Sequence, residues 1–255
     1  MKPLNSFNKC FASFAAAVIA AALGSGSATA QVVSVNIMQN GGNDFQQIDA
    51  DETFGIASYG SVVGGWYNLN SATPNLLNHL GAATTLDFSL TQPNGQATFN
   101  AAYNDTPLFA GLDDFTTTPT PVSITISDIN ATFSLGYYAI VYVGGFNANT
   151  GASISDGTST FYYRPNPAPV APYSSFVQTT QTTSLGAGNN PIAQYAVFGS
   201  LAAPLTADSI TFTLDTLSGG GAALGGVQII AVPEPTTAAL LLSGALLLGL
   251  RRRNN

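Results

Sequence analysis

Apolar and polar residues alternate with a period of two along much of the chain. In the stretch Gln31–Met38, Val33, Val35 and Ile37 alternate with Ser34 and Asn36. Thr85–Leu90 repeats the pattern, and Val122–Ile129 sets Val122, Ile124 and Ile126 against Ser123, Thr125 and Ser127. Successive side chains of a strand point to opposite faces, so each stretch is expected to bury one face and wet the other. Tyr138–Val143 is apolar without a break, the pattern of a central strand covered on both sides. Trp66–Leu69, Ala97–Phe99, Thr158–Tyr163, Phe176–Thr180, Tyr195–Phe198, Ile210–Leu214 and Val227–Val232 read as further strands. Phe54–Val63 is a small apolar stretch, and Ser71–Leu80 is expected to hold a helical turn around Leu76, Leu77 and Leu80.

Gly, Pro, Asn and Asp punctuate these stretches at short intervals, as at Asn40–Asn43, Pro93–Gly95 and Gly157. Arg164–Pro172 holds four prolines and is expected to be a loop or an edge, since proline cannot donate to a ladder. No fixed-period repeat is present, which argues against a propeller or solenoid. The pattern predicts an all-β fold, a single β-sandwich of about eight to eleven strands.

Both ends of the chain break the pattern. Met1, Lys2 and Lys9 form a positive start, Phe11–Leu23 is apolar, and Ala28-Thr29-Ala30 is a small-x-small cleavage site. Together they read as an export signal peptide over residues 1–30, with the mature chain starting at Gln31. Cys10, the only cysteine, leaves with that peptide and does not sit where a lipoprotein cysteine would. The mature protein is therefore expected to have neither disulfides nor thiol chemistry. Roughly two hundred residues bury an adequate core without them.

At the other end, Val232-Pro233-Glu234-Pro235 precedes the uncharged run Thr236–Leu250, and Arg251, Arg252 and Arg253 follow. Two prolines around a glutamate favour an extended, exposed segment. The arginines are expected to stop translocation and stay cytoplasmic. The fifteen-residue run spans about 22 Å as a helix, short of the roughly 30 Å hydrocarbon core. That length suits a temporary transmembrane helix better than a permanent one.

Charge narrows the class of partner. Outside the two ends Arg164 is the only basic residue, and all thirteen acidic residues lie between Asp44 and Glu234, a formal charge of −12 from Gln31 to Pro235. Nucleic acid is thereby an unsuitable partner, because binding phosphates requires Lys and Arg. An anionic membrane surface is unsuitable for the same reason. Solubility has to come from Asn, Gln, Ser, Thr and Gly.

The segment Val232–Arg253 resembles the PEP-CTERM sorting signal of bacteria that make exopolysaccharide: motif, short hydrophobic helix and basic tail occur in that order. The resemblance implies a partner, exosortase, a membrane-embedded cysteine transpeptidase that cuts at or near Pro-Glu-Pro. It also implies transient residence in the inner membrane and delivery to the cell surface or the exopolysaccharide matrix. The other reading of the same residues is an ordinary membrane anchor with a proline pair. Residues 31–231 are similar to a group of exported PEP-CTERM β-sandwich proteins. The likeness is carried by Gly64-Gly65-Trp66-Tyr67-Asn68-Leu69, Leu112-Asp113, Tyr138–Val143, Gln194–Phe198 and Gly226–Ile230. Tyr67 stands where an Asn is usual and Ala139 where an Asp is usual. This second likeness implies a jelly-roll-like sandwich and no established activity.

Candidate chemistry in the body is sparse. His79 is the only histidine, and no Gly-x-Ser-x-Gly elbow accompanies it, so it reads as structural. Zinc needs three or four Cys, His or carboxylate ligands, which one histidine and no mature cysteine do not supply. Asp49, Asp51 and Glu52, with Asp44 nearby, are candidate oxygen ligands for a structural calcium, and Asp113-Asp114 form a second acidic pair. No EF-hand spacing is present, and the plainer reading of these residues is solvated acidic loops. Trp66, Tyr67, Tyr162 and Tyr163 are candidate stacking residues for a sugar; the alternative is that these large aromatics fill the core. No catalytic residue and no cofactor is assigned. Three readings stay open: an exported structural or interaction protein, a carbohydrate-binding module of the matrix, and a permanently anchored envelope protein.

Overall fold

Two β-sheets stack around the alternating apolar positions. The computed structural model of the chain describes residues 30–38, 48, 55–56, 65–91, 108, 112–113, 121–145, 150–165, 176–217 and 221–233. The chain divides into two units, Gln31–Val232 and the two ends Met1–Ala30 with Pro233–Asn255. Of the second unit only Ala30 and Pro233 are described. Among the described residues no helix is long and apolar enough to cross a membrane. The run Thr236–Leu250 lies outside them.

The first unit is all-β. In chain order its strands are β1 (Val32–Ile37), β2 (Trp66–Leu69), β3 (Asp87–Thr91), β4 (Leu112–Asp113), β5 (Val122–Ser127), β6 (Tyr137–Gly145), β7 (Ala152–Ser155), β8 (Thr160–Tyr163), β9 (Tyr195–Phe198), β10 (Ile210–Thr216) and β11 (Ala222–Ala231). Sheet A runs β2-β1-β11-β6-β9 with β4 also on β11, and sheet B runs β3-β5-β10-β7-β8. All pairs are antiparallel except β1 with β2. The chain crosses repeatedly between the sheets, so most neighbours within a sheet are distant in sequence.

One core joins the two sheets. Val33, Val35, Val141 and Ile229 of sheet A share it with Ile124, Ile126, Phe212 and Leu214 of sheet B. Phe198 on β9 spans the gap: its ring lies 5.2 Å from that of Phe161 on β8 and 5.0 Å from that of Phe212 on β10. These are the offset distances at which aromatic pairs attract. In β5 the buried and half-buried positions alternate strictly, as the sequence pattern predicts.

Several elements differ from the sequence expectation. The segment around Leu76, Leu77 and Leu80 forms no helix. It bridges through Thr73 to Phe88 and folds back on itself through Leu77 and Ala83. The carboxylate of Asp87 accepts the Asn75 N–H at 2.8 Å, and Asn75 takes a φ of 53°; a helix interior admits neither. Only Gln178 of Phe176–Thr180 pairs, as a single bridge to Tyr195. The strand read as Val227–Val232 begins at Ala222 instead, and Ala152–Ser155 is a strand that the alternation did not announce. The apolar run Tyr138–Val143 does lie in an inner strand, β6 between β11 and β9, and every position of that strand is buried. Phe54–Val63 and Ala97–Phe99 lie largely or wholly outside the described residues.

Candidate functional site

Three places in the first unit have geometry that bears on function: the strand ends where the unit begins and finishes, the outer face of sheet A and the outer face of sheet B.

The first and last strands are neighbours. Val32 pairs with Ile230, and Ala231 N–H donates to the Gln31 carbonyl at 2.9 Å. The unit therefore begins and ends at the same end of two adjacent inner strands of sheet A. Two devices pin these strand ends. His79 N–H donates to the Val32 carbonyl at 2.8 Å, and Val32 N–H donates to His79 Nδ1 at 3.2 Å. Nδ1 is thus an acceptor, and the histidine continues the sheet where β2 has not yet begun. Val232 N–H donates to the Gly136 carbonyl at 3.0 Å. Gly136 has a φ of +93°, and a Cβ there would come 2.7 Å from the Leu205 carbonyl oxygen, so glycine is required at that corner.

The outer face of sheet A is covered. Ser34 and Asn36, the polar half of the β1 alternation, are each 1% exposed. They belong to a buried network. Asn36 Nδ2 donates to Asn68 Oδ1 at 2.8 Å. The Asn68 amide in turn holds the backbone of Ile48, accepting its N–H at 2.9 Å and donating to its carbonyl at 3.0 Å. Gln228 Nε2 donates to Ser34 Oγ at 3.2 Å. The Tyr142 hydroxyl donates to Gln228 Oε1 at 2.5 Å and accepts the Ile56 N–H at 2.6 Å. Burial pushes the Tyr142 hydroxyl well above its ordinary range, against the opposing effect of the Ile56 amide. Trp66 and Phe176 close on the Tyr142 ring edge-on at 5.7 and 5.6 Å. Gly55 seats its backbone on this cluster: an added Cβ would lie 2.7 Å from the Trp66 ring. Beside it a bulge between Leu224 and Gly226 admits Leu108, whose N–H donates to Asn36 Oδ1 at 3.3 Å. This face is a clamp for connecting segments, with every polar atom named here in a hydrogen bond.

The outer face of sheet B is open and hydroxylated. Register aligns Thr91, Ser123, Thr213, Ser155 and Thr160 in one row across all five strands. A second row runs Ser89, Thr125, Thr211. Strand spacing sets neighbours in a row about 4.8 Å apart, and the pleat sets rows about 6.8 Å apart. Hydroxyls pair along the rows, Thr91 with Ser123 and Thr125 with Thr211 at 2.8 Å each. A hydroxyl has one proton and two lone pairs, so such pairs keep acceptor capacity toward solvent. Asp87 and Asp215 are the only charged residues of these strands' outward positions.

The four aromatics singled out from the sequence are not brought onto one platform. Tyr67 packs on the core, and its hydroxyl accepts the Leu77 N–H at 2.8 Å. Tyr163 is fully buried in the core. Trp66 is half-buried against Tyr142 on sheet A, and Tyr162 is half-buried on the far side of sheet B. Adjacent residues of a strand face opposite ways, which separates each pair. The hydroxyl rows were hidden from the sequence because the long one is assembled from five separate segments and the short one from three. Among the described residues no group of three or more His, Cys, Asp or Glu is placed to hold a metal. Asp44, Asp49, Asp51, Glu52 and Asp114 lie outside the described residues, as do Ala28, Glu234, Pro235 and Arg251 to Arg253. No family model, no curated protein and no solved structure matches the chain.

Proposed function

We propose that the chain is an exported protein of the cell surface or exopolysaccharide matrix, and the substrate rather than the catalyst of its own sorting. Residues 1–30 carry it through the inner membrane. Thr236–Leu250 and Arg251 to Arg253 hold it there with the sandwich outside. An exosortase-type transpeptidase then cuts near Pro233-Glu234-Pro235 and frees a jelly-roll-like body. One observation carries this reading. The compact unit spans Gln31 to Val232, limits that agree with the two processing sites read from the sequence. Removing either end leaves every strand pair of the body in place.

The test is intact mass and membrane fractionation of the protein from its native host, with and without the processing enzyme. Loss of the tail beyond Val232 only when the enzyme is present is the expected result. A full C-terminus kept in the inner membrane in both strains would make this a permanently anchored envelope protein.

The open face of sheet B favours a second reading, contact with a neutral polysaccharide of the matrix. Rows of hydroxyls on a face without Lys or Arg match a partner rich in hydroxyls and poor in charge. In affinity electrophoresis the purified body is expected to be retarded by a neutral matrix glycan. Thr213→Lys, at the middle of the long row, is expected to abolish that retardation without lowering the melting temperature. Equal mobility with and without glycan would remove this reading.

A further inference from the structure

We propose that the outer face of sheet B carries a sugar subsite around Ser153, in which Tyr162 stacks on one face of a neutral hexose while Asp215 and Arg164 share its hydroxyls. This rests on the neutral-polysaccharide reading above and adds to it a place and a set of contacts.

Register brings the residues together. Ser153 pairs with Asp215 on β10 and with Tyr162 on β8, so the three side chains stand in one row on one face. Neighbours in the row are about 4.8 Å apart, and the long row of Thr213, Ser155 and Thr160 runs one pleat away, at about 6.8 Å. Arg164 follows Tyr162 by two residues, just past the end of β8. The Tyr162 and Arg164 N–H groups both donate outside sheet B, to the carbonyls of Gln181 at 2.7 Å and Pro191 at 2.9 Å. The backbone thus stays extended through Arg164, and alternation puts its side chain on the same face as that of Tyr162.

A wall closes one side of the row. Gly151 lies two residues before Ser153, and a Cβ there would come 2.4 Å from Ala187 Cα. The short helical turn Ala187–Asn189 therefore rests on this face, at a distance that a larger residue forbids. Ser153 points outward yet is only 7% exposed, so it is the floor of a depression. Asp215 on one side of it is exposed, and Tyr162 on the other is half-buried.

The groups around the depression complement a neutral sugar. Among the described residues no hydrogen bond or ion pair engages the side chains of Ser153, Tyr162, Arg164 or Asp215. Arg164 is the only basic residue between the two ends of the chain, and its Nε is buried without a partner. A carboxylate only accepts and a guanidinium only donates, whereas a hydroxyl does both. One hexose can therefore satisfy Asp215 and Arg164 together, and a hydroxyl on Nε removes the cost of leaving that donor unpaired. The C–H face of the sugar packs on the apolar body of the Tyr162 ring. Asp215 and Arg164 cancel in charge, so a carboxylated sugar gains at one what it loses at the other.

Affinity electrophoresis of the protein from its native host, in gels holding hydroxyethyl cellulose, dextran, galactomannan or alginate, tests the subsite. Retardation by at least one of the three neutral glycans, and not by alginate, is the expected result. Tyr162→Ala and Asp215→Ala are each expected to weaken that retardation about tenfold, the scale of one aromatic contact or one charged hydrogen bond. Asp215 is exposed, so the melting temperature of its variant should equal that of wild type. Full retardation of both variants overturns the subsite and leaves the neutral-polysaccharide reading standing. Unchanged wild-type mobility in every neutral gel overturns both. Stronger retardation by alginate than by any neutral glycan overturns the choice of a neutral sugar. Tyr162→Trp keeps an aromatic ring and reports on it directly. Trp66 is the only native tryptophan and lies on sheet A, so a change in emission on adding the retarding glycan is expected to come from the introduced indole. Emission that moves no more than that of wild type overturns the stacking.

Discussion

The hydroxyl of Tyr142 donates to Oε1 of Gln228 at 2.5 Å, between two residues 86 apart in sequence, inside the covered face of sheet A. The Tyr142 hydroxyl oxygen also accepts the Ile56 N–H, so one phenol ties β6, β11 and a connecting segment together. Tyr142→Phe keeps the ring and its edge-on contacts but leaves a buried amide acceptor and a backbone donor unsatisfied. Such groups cost about 1–3 kcal/mol to bury. In a domain of this size each kcal/mol lowers the melting temperature by about 2–4 °C. Thermal unfolding of the variant measures it, and a melting temperature equal to wild type would show that water replaces the hydroxyl.

Gly55 meets the same cluster from above. Its φ is +94°, and a Cβ would lie 2.7 Å from Trp66 and 2.8 Å from the Tyr142 hydroxyl. Gly81 has a φ of +75° with nothing within 4 Å of an added Cβ. Alanine at either site carries backbone strain of about 1–3 kcal/mol. Only Gly55→Ala adds a clash, so it is expected to lower the denaturant midpoint more than Gly81→Ala. Equal midpoints would mean that the aromatic cluster yields to the methyl group.

Alkaline pH is expected to unfold the body. Burial, reinforced by the charges of Asp156 and Asp208, pushes the Tyr137 hydroxyl from 10.0 up to about 12. Burial also raises Tyr142 and Tyr195. A raised value means that the folded state holds its proton more tightly than the unfolded chain. This contribution to stability is complete below the unfolded value of 10.0 and is lost as pH rises toward the folded value of about 12, because the unfolded chain then binds fewer protons. The denaturant midpoint should fall in that window, with tyrosinate absorbance appearing together with unfolding. A midpoint independent of pH there would contradict the burial of Tyr137.

Sorting is expected to depend on the tail and not on the body. Glu234→Ala, or removal of Arg251 to Arg253, should leave full-length protein in the membrane fraction or send it to the wrong one. The melting temperature should not change, since both sites lie beyond Val232, where the compact unit ends. Normal processing of both variants would refute recognition of this segment.

Strand existence was legible where one face is apolar. Val122, Ile124 and Ile126 lie in the core, as their alternation requires. Helical spacing misled at Leu76, Leu77 and Leu80, because the same three leucines serve a segment that pairs through Thr73 and Leu77 instead. Ala152–Ser155 escaped notice because four residues with one bulky side chain carry no periodicity. Of the candidate stacking residues, Tyr67 and Tyr163 proved to face the core, a choice that alternation leaves open until the partner sheet is known.

By itself the sequence determined the class of the fold, the inward face of the clearest strands, the negative charge of the body and the breaks in pattern near Gln31 and Val232. These follow from local properties: side-chain direction along an extended backbone, turn chemistry and composition. Tertiary structure alone decided that Ser34 and Asn36 are buried, since a second cover over sheet A depends on Ile48, Gly55, Ile56 and Leu108, far away along the chain. It alone decided that Thr91, Ser123, Thr213, Ser155 and Thr160 form one row. Register is a relation between strands, and a pattern within one strand does not contain it.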